Sequence, residues 1–328
     1  MSKHNLLNRR GVLSAVASLL SLLSISQVFA QNTVKRSLRL IVGSPPGALG
    51  DVVTRLVSSK LNNYMDAAVL VDNKAGASGI ISAELVAKAS PDGSTLLVAA
   101  DNVFVVNSLL YQKLSYDLTD FRSVALLGRG GLVLIARPSL GINNLNDFIN
   151  YAKLHPARVT FSSGGAGHVT HIGTELIANR MGIKLLHVPY KGTTPALTAV
   201  ISSEVDVMLV GLAGAMPFIK SGRAIALAIT GSASKELLPN LPYLKDIHPD
   251  LDVTYWFGVF APKETSSEVV ANLNATVNKI LKEAEVEKKF ASMGMWVSSS
   301  KPADLEALIK EDKLRYGPLV SSLNIKPE

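Results

Sequence analysis

The chain reads as an α/β protein of two lobes, each a mostly parallel sheet flanked by helices, and three features of the sequence say so. Short apolar runs alternate with amphipathic helical patterns from residue 38 onward. The plan of strand, small-residue loop and helix appears near residues 38–64 and again near 159–177. Once an export signal is set aside, about 300 of the 328 residues remain, which at ~150 per domain corresponds to two domains.

The first thirty residues lie outside that fold. Lys3, Arg9 and Arg10 make a basic start, and Val12 to Ile25 is an apolar run interrupted only by serines. Val28-Phe29-Ala30 ends in the small residues that a signal peptidase reads, so cleavage is expected after Ala30. The Arg9-Arg10 pair is compatible with twin-arginine export, but the residues after it fit that signal poorly and a general secretory route serves equally. The apolar run is shorter than the roughly 20 residues of a membrane span, and no later stretch qualifies. Cleavage removes those three cations while all 26 Asp and Glu remain, so the net charge falls from +7 to +4. No basic run interleaved with aromatics is left, and nucleic acid is not an expected partner. The chain has no cysteine, which excludes disulfides, thiolate nucleophiles, Cys-bound metals and a lipid-bearing mature start. A bacterial periplasm is the compartment that fits, and a monomer is expected.

In chain order, Leu38 to Val42 is a strand that ends in GSPPGALGD, residues 43–51. Pro45-Pro46 stops the strand and Gly47 and Gly50 supply the turn. The helix that follows is expected to bury Val53, Leu56, Val57, Leu61 and Tyr64, with Asp51 in its first turn, where the dipole favours a carboxylate. Val69 to Val71 is the second strand, NKAGASG (73–79) a glycine-rich turn into a helix, and Thr95 to Ala100 a buried strand. Residues 122–137 hold two apolar runs around Gly128, Gly130 and Gly131 and form the passage between lobes. The expected division is 31–132 plus 232–328 for the first lobe and 133–231 for the second.

The second lobe repeats the plan. Asn144 to His155 is a helix, Val159 to Phe161 a strand, and FSSGGAGHVTHIGTEL (161–176) the loop and helix around which the chain is organised. Leu185 to Val188 runs into PYKGTTPA, where Thr193 or Thr194 can cap a helix with Pro195 in its first turn. Val205 to Val210 and Ala224 to Thr230 continue the sheet, and Asp206, inside an apolar strand, needs a partner. TYWFGVFAP (254–262) is a further strand. A helix marked by Thr265 and Glu268 in capping-box spacing and another starting near Pro302 finish the chain.

Ligands of open α/β sheets bind beyond the carboxyl ends of the strands. Loops 43–51, 72–79, 100–103, 162–171 and 189–194 lie there, and in two facing lobes they converge on one cleft. Glycines, hydroxyls and helix N-termini suit an anion, and a carboxylate in particular. Ser44, Pro46, Gly47, Ala48, Leu49, Asp51 and Asn102 are the candidate ligand-binding residues of the first lobe. Ser163, Gly165, Gly167, His168, Thr170, His171, Tyr190 and Lys191 are those of the second. Lys191 is the obvious cation of these loops; it either approaches a ligand carboxylate or stays solvated or ion-paired.

The pieces SPPGALGD (44–51), VDNKAGASG (71–79), SPDGSTLLVA (90–99), SSGGAGHVTH (162–171), HVPYKGTTPAL (187–197), EVDVM (204–208) and YWFGVFAPK (255–263) identify a resemblance. In order and spacing the chain resembles the tripartite tricarboxylate transporter substrate-binding proteins, the Bug family first described in Bordetella, over essentially the whole mature length. The resemblance implies a Venus-flytrap receptor of the type II-like periplasmic kind. It implies that the loops at 44–51 and 162–171 hold a small carboxylate and that membrane permease subunits receive it, with no cofactor. Two positions depart from the family pattern. Ala48 replaces a glycine and is followed by bulky Leu49, which favours an apolar portion on the ligand, and His168 replaces a small hydroxyl residue and can offer a hydrogen bond.

The same residues offer the parts of other chemistries. Ser162 or Ser163 with His171 and Asp51 has the composition of a hydrolase triad, without the Gly-x-Ser-x-Gly elbow. His168 and His171 have a spacing that two metal ligands can use, with no nearby Asp, Glu or Cys before Glu175. A receptor that signals to a periplasmic sensor domain instead of a permease is the alternative within the binding class.

Overall fold

A computed structural model describes residues 36–323 apart from 66, so the expected signal segment and its cleavage point lie outside the described residues. In chain order the strands are β1 (Arg36–Val42), β2 (Ala67–Asn73), β3 (Thr95–Ala100), β4 (Phe121–Gly130) and β5 (Leu132–Ala136). They continue as β6 (Thr160–Ser163), β7 (Leu186–Pro189), β8 (Val207–Gly211), β9 (Ile225–Ile229), β10 (Tyr255–Pro262) and β11 (Met295–Val297). Two sheets result, one in the order β11-β4-β10-β3-β1-β2 and one in the order β7-β6-β8-β5-β9.

The two orders share a logic. In each sheet one strand arrives directly from the other sheet: β10 follows β9 and inserts between β3 and β4, while β5 follows β4 and inserts between β8 and β9. Such a strand enters from the opposite direction, and it is antiparallel to both neighbours. Parallel pairing is seen between strands joined through helices, as in β1 with β3 and β6 with β7 and β8. The sheets are therefore mixed, within the two-lobed α/β architecture that the sequence predicts. Helical crossovers force parallel pairing and direct crossings between lobes force antiparallel pairing.

Glycine sits at both crossings. Gly131 separates β4 from β5, and Gly231, at φ +74°, follows β9. A Cβ on Gly231 would stand 3.0 Å from Gly131 Cα and 2.7 Å from the Trp296 ring. The two passages thus run in backbone contact, an approach that side chains would prevent.

Each sheet is covered on both faces. Val53, Val57 and Leu61 of the helix Leu49–Tyr64 pack on the first sheet with Val270, Leu273, Val277 and Ile280 of Ser267–Leu281, because these residues recur at helical spacing on one face. Tyr64, expected with them, is exposed and hands its hydroxyl to Glu283 instead. The helices Thr193–Ile201 and Leu212–Lys220 cover one face of the second sheet. A third cluster joins the other faces of both sheets, with Leu305, Leu308, Ile309 and Tyr316 of the last helix, Pro302–Leu323, contributing to it. Asp206 finds the partners it needs: Arg137 at 2.7 Å and the backbone N–H and hydroxyl of Thr160 at 2.8 and 2.9 Å.

Two caps differ from expectation. Gly192, not Thr193 or Thr194, is the N-cap of Thr193–Ile201, since both threonines already belong to the first helical turn. Ser266 caps Ser267–Leu281 by accepting from Val269 N–H, while Thr265 is buried one residue upstream with its hydroxyl unpaired.

Candidate ligand cleft

The two sheets end on a common cavity of about 930 Å³. Four helices of nine residues or more begin at its wall: Leu49–Tyr64, Val169–Met181, Thr193–Ile201 and Leu212–Lys220. The first-turn N–H groups of a helix have no carbonyl one turn back, and the dipole puts positive potential at that end. Among the described residues no lysine or arginine contributes to the wall. Positive potential here is a property of the backbone.

On the first lobe the loop is held in shape from behind. Ala48 N–H donates to Pro45 O at 3.2 Å, closing a turn over Pro46 and Gly47. Asp51 is buried and accepts from Gly47 N–H at 2.9 Å, Asn73 Nδ2 at 2.8 Å and Arg55 Nε at 3.0 Å. Burial alone would raise its pKa, but the hydrogen bonds from Arg55, Gly47 and Asn73 together take it below the usual carboxylate value. Ser44, Ala48 and Leu49 line the cavity; Pro46 and Gly47 are exposed and Asp51 is buried, and none of the three lines it. Asn102 lines the cavity as well and donates to Ser78 O at 2.8 Å, tying two cleft segments together.

On the second lobe His168 and Thr170 reach the wall, and the other candidates form its support. Ser163 is fully buried; its Oγ accepts from Gly165 N–H at 3.2 Å and lies 2.6 Å from His187 Nε2. His171 accepts from Gly167 N–H through Nδ1 at 3.0 Å and stacks on His187 at 3.7 Å, with Phe161 beyond. Gly167 has φ +76°, and a Cβ there would lie 2.3 Å from Leu110. The loop is thus threaded between its own histidines and a helix of the first lobe. Tyr190 is half-buried among the apolar residues behind the second sheet, and Lys191 is exposed; neither reaches the cavity wall.

The three histidines are held neutral. Burial pushes His168 and His187 down to about 4 and, with repulsion from the neighbouring imidazoles, His171 down to about 3. A hydrolase triad is not assembled from these parts. Ser162 Oγ donates to Ala196 O, Ser163 faces His187 rather than His171, and Asp51 serves the other lobe. Among the described residues no group of three His, Asp or Glu is placed to hold a metal.

Asp101, Tyr255, Phe257, Thr193 and Thr194 also line the cavity and were not among the expected site residues. Tyr255 and Phe257 could have been found from strand alternation, which puts them on the face opposite Trp256. Trp256 is fully buried and donates to Asp312 at 2.9 Å. Asp101 carried no signal beyond its place after a strand.

Comparison with known proteins agrees with this geometry. The family described as tripartite tricarboxylate transporter family receptor matches residues 53–325. Protein BugT of Bordetella pertussis is 30% identical over 302 residues, covering 91% of this chain and 93% of its own. Among solved structures, an R. palustris protein with adipate is 28% identical with a TM-score of 0.79, covering 91% of this chain and 100% of its own. MatC from Rhodopseudomonas palustris, with bound malate, is 29% identical with a TM-score of 0.74, covering 87% and 99%. This chain belongs to the tripartite tricarboxylate transporter receptor family.

Proposed function

We propose that the protein is a non-catalytic extracytoplasmic receptor that closes two lobes over a small organic carboxylate and delivers it to the membrane permease subunits of a tripartite tricarboxylate transporter. The observation that carries this reading is the convergence of four helix N-termini on one cavity whose wall has no lysine or arginine. Such a site binds an anion through N–H groups already aimed at it. The adipate and malate seen in the related R. palustris structures are the ligand class this arrangement suits.

In this reading Ser44, Ala48, Leu49, Asn102, His168 and Thr170 touch the ligand. Asp51, Ser163, Gly165, Gly167 and His171 position the loops, and Lys191 stays in solvent. Export with cleavage after Ala30 belongs to the same reading, as does a lobe division of 31–132 plus 232–328 against 133–231. The close crossing at Gly131 and Gly231 supports that division.

A thermal-shift screen of the mature protein tests the function. Mono-, di- and tricarboxylates are compared with neutral sugars. A ligand that binds only the folded state raises the melting temperature. A rise confined to carboxylates is expected; a response to sugars alone, or to no carboxylate, would reject the reading. Mass spectrometry of the exported protein checks the mature start.

A further inference from the structure

We infer that the cleft takes a carboxylate ligand that also carries a positively charged nitrogen, and that Asp101 is the residue that recognises this nitrogen. The inference rests on the carboxylate-receptor reading and names the ligand class within it.

Asp101 is the only acidic side chain on a wall that has no lysine or arginine. It is 5% exposed and, among the described residues, has no ion-pair partner. The residue follows β3, beside the cross-strand pair Ala100 and Phe257, so an apolar wall with an aromatic ring surrounds it. Its carboxyl accepts from the backbone N–H groups of Asp101 and Asn102 but meets no cation, and ionising it there is costly unless the ligand supplies one.

The charged and titratable groups around it sharpen the choice. Asp312 on the helix Pro302–Leu323 acts on Asp101 with like charge, and Tyr255 and Tyr316 are the phenols that feel Asp101. Arg315 and Arg129 compensate Asp312. Burial first, and Asp312 second, raise Asp101 to about 8 in the empty cleft. A second carboxylate reaching Asp101 would meet a neutral acid, the charge of Asp312 behind it and no cation on the wall. An ammonium or protonated heterocyclic nitrogen relieves the crowding and ionises Asp101 in doing so, with the displaced proton released to solvent. The helix N-termini then hold the ligand carboxylate, and the apolar wall holds the segment between.

The test is calorimetric titration of the full mature protein with three straight-chain series of matched length: ω-amino acids from 4-aminobutyrate to 8-aminooctanoate, the corresponding diacids and the corresponding monoacids. At the best length the amino acid is expected to bind at least about tenfold more tightly than either counterpart. In buffers of different ionisation enthalpy at pH 7, its binding should release close to one proton, and monoacid binding none. Asp101→Asn should remove both the preference and the proton release. A diacid preferred by the wild type, or an amino-acid preference unchanged in Asp101→Asn, overturns the inference while leaving the receptor standing. Should Asp101→Asn fail to fold, the wild-type ligand series alone decides. Absence of binding in every series, with no carboxylate response in the thermal screen, rejects the receptor reading itself and the inference with it.

Discussion

Nδ1 of His168 lies 3.2 Å from the backbone nitrogen of Thr170 and 3.0 Å from its hydroxyl oxygen. A backbone N–H can only donate, so Nδ1 accepts and the imidazole proton resides on Nε2. Among the described residues Nε2 has no hydrogen-bond partner, and the ring lines the cavity. Thr170 thereby sets the tautomer that leaves His168 with a free N–H donor on the cavity wall.

His168→Ser keeps an N-cap for the helix Val169–Met181 and removes that donor. Isothermal titration with any carboxylate found to bind should show affinity reduced by about fivefold, the worth of one hydrogen bond at ~1 kcal/mol. The melting temperature of the free protein should change little. Unchanged affinity would show that the ring merely caps the helix.

Asp51→Ala should act on stability first. It leaves Gly47 N–H without its acceptor and Asn73 Nδ2 with Ser44 O alone, and lowers unfolding free energy by roughly 2 kcal/mol, read from the urea midpoint. Ligand affinity should also weaken, since the loop it holds carries Ser44 and Ala48 to the wall. Full stability in the variant would contradict the supporting role.

Gly231→Ala and Gly182→Ala separate two costs. Both positions have positive φ, but a Cβ at 182 meets open space while one at 231 meets the Trp296 ring and Gly131. The Gly182 variant should lose about 1 kcal/mol from backbone strain alone and the Gly231 variant roughly 3 kcal/mol or more. Thermal unfolding of both measures the difference; equal losses would mean that the crossing tolerates separation.

Stability should peak near neutral pH. His168, His171 and His187 are depressed below their unfolded value of 6.5, so from about pH 6.5 down to about 4 the unfolded chain binds protons the folded one refuses, and stability falls on acidification. Asp101, raised to about 8, works the other way. The folded state holds its proton as pH rises from 3.8 to 8, so it opposes the histidines in acid and costs stability on approach to about pH 8. Three histidines outweigh it below 6.5. Urea unfolding across that range checks the sign, and a steady gain in stability toward pH 4 would refute it.

Much of this was legible in the chain. Strand-forming runs, glycine loops and the spacing of Val53, Val57 and Leu61 depend on local periodicity, and they predicted two α/β lobes with ligand loops at the strand ends. Ser44, Ala48, Leu49, Asn102, His168 and Thr170 were named from that position alone and do line the cavity. The remaining candidates show the limit of the same reasoning. A loop residue such as Ser163 or Asp51 can face the ligand or brace the loop from behind, and that depends on which neighbour fills its hydrogen bonds, here His187 and Arg55.

The sequence by itself determined the local elements, the glycines at the turns and crossings, and the absence of any thiol chemistry, because each depends on the residue and its near neighbours. Only the tertiary structure decided that β5 and β10 insert antiparallel into the opposite sheets, and that four helix starts converge on one cavity. It alone placed Asp101 on the cavity wall with Asp312 close behind. Those facts arise from contacts between residues far apart in the chain, where no local pattern records the partner.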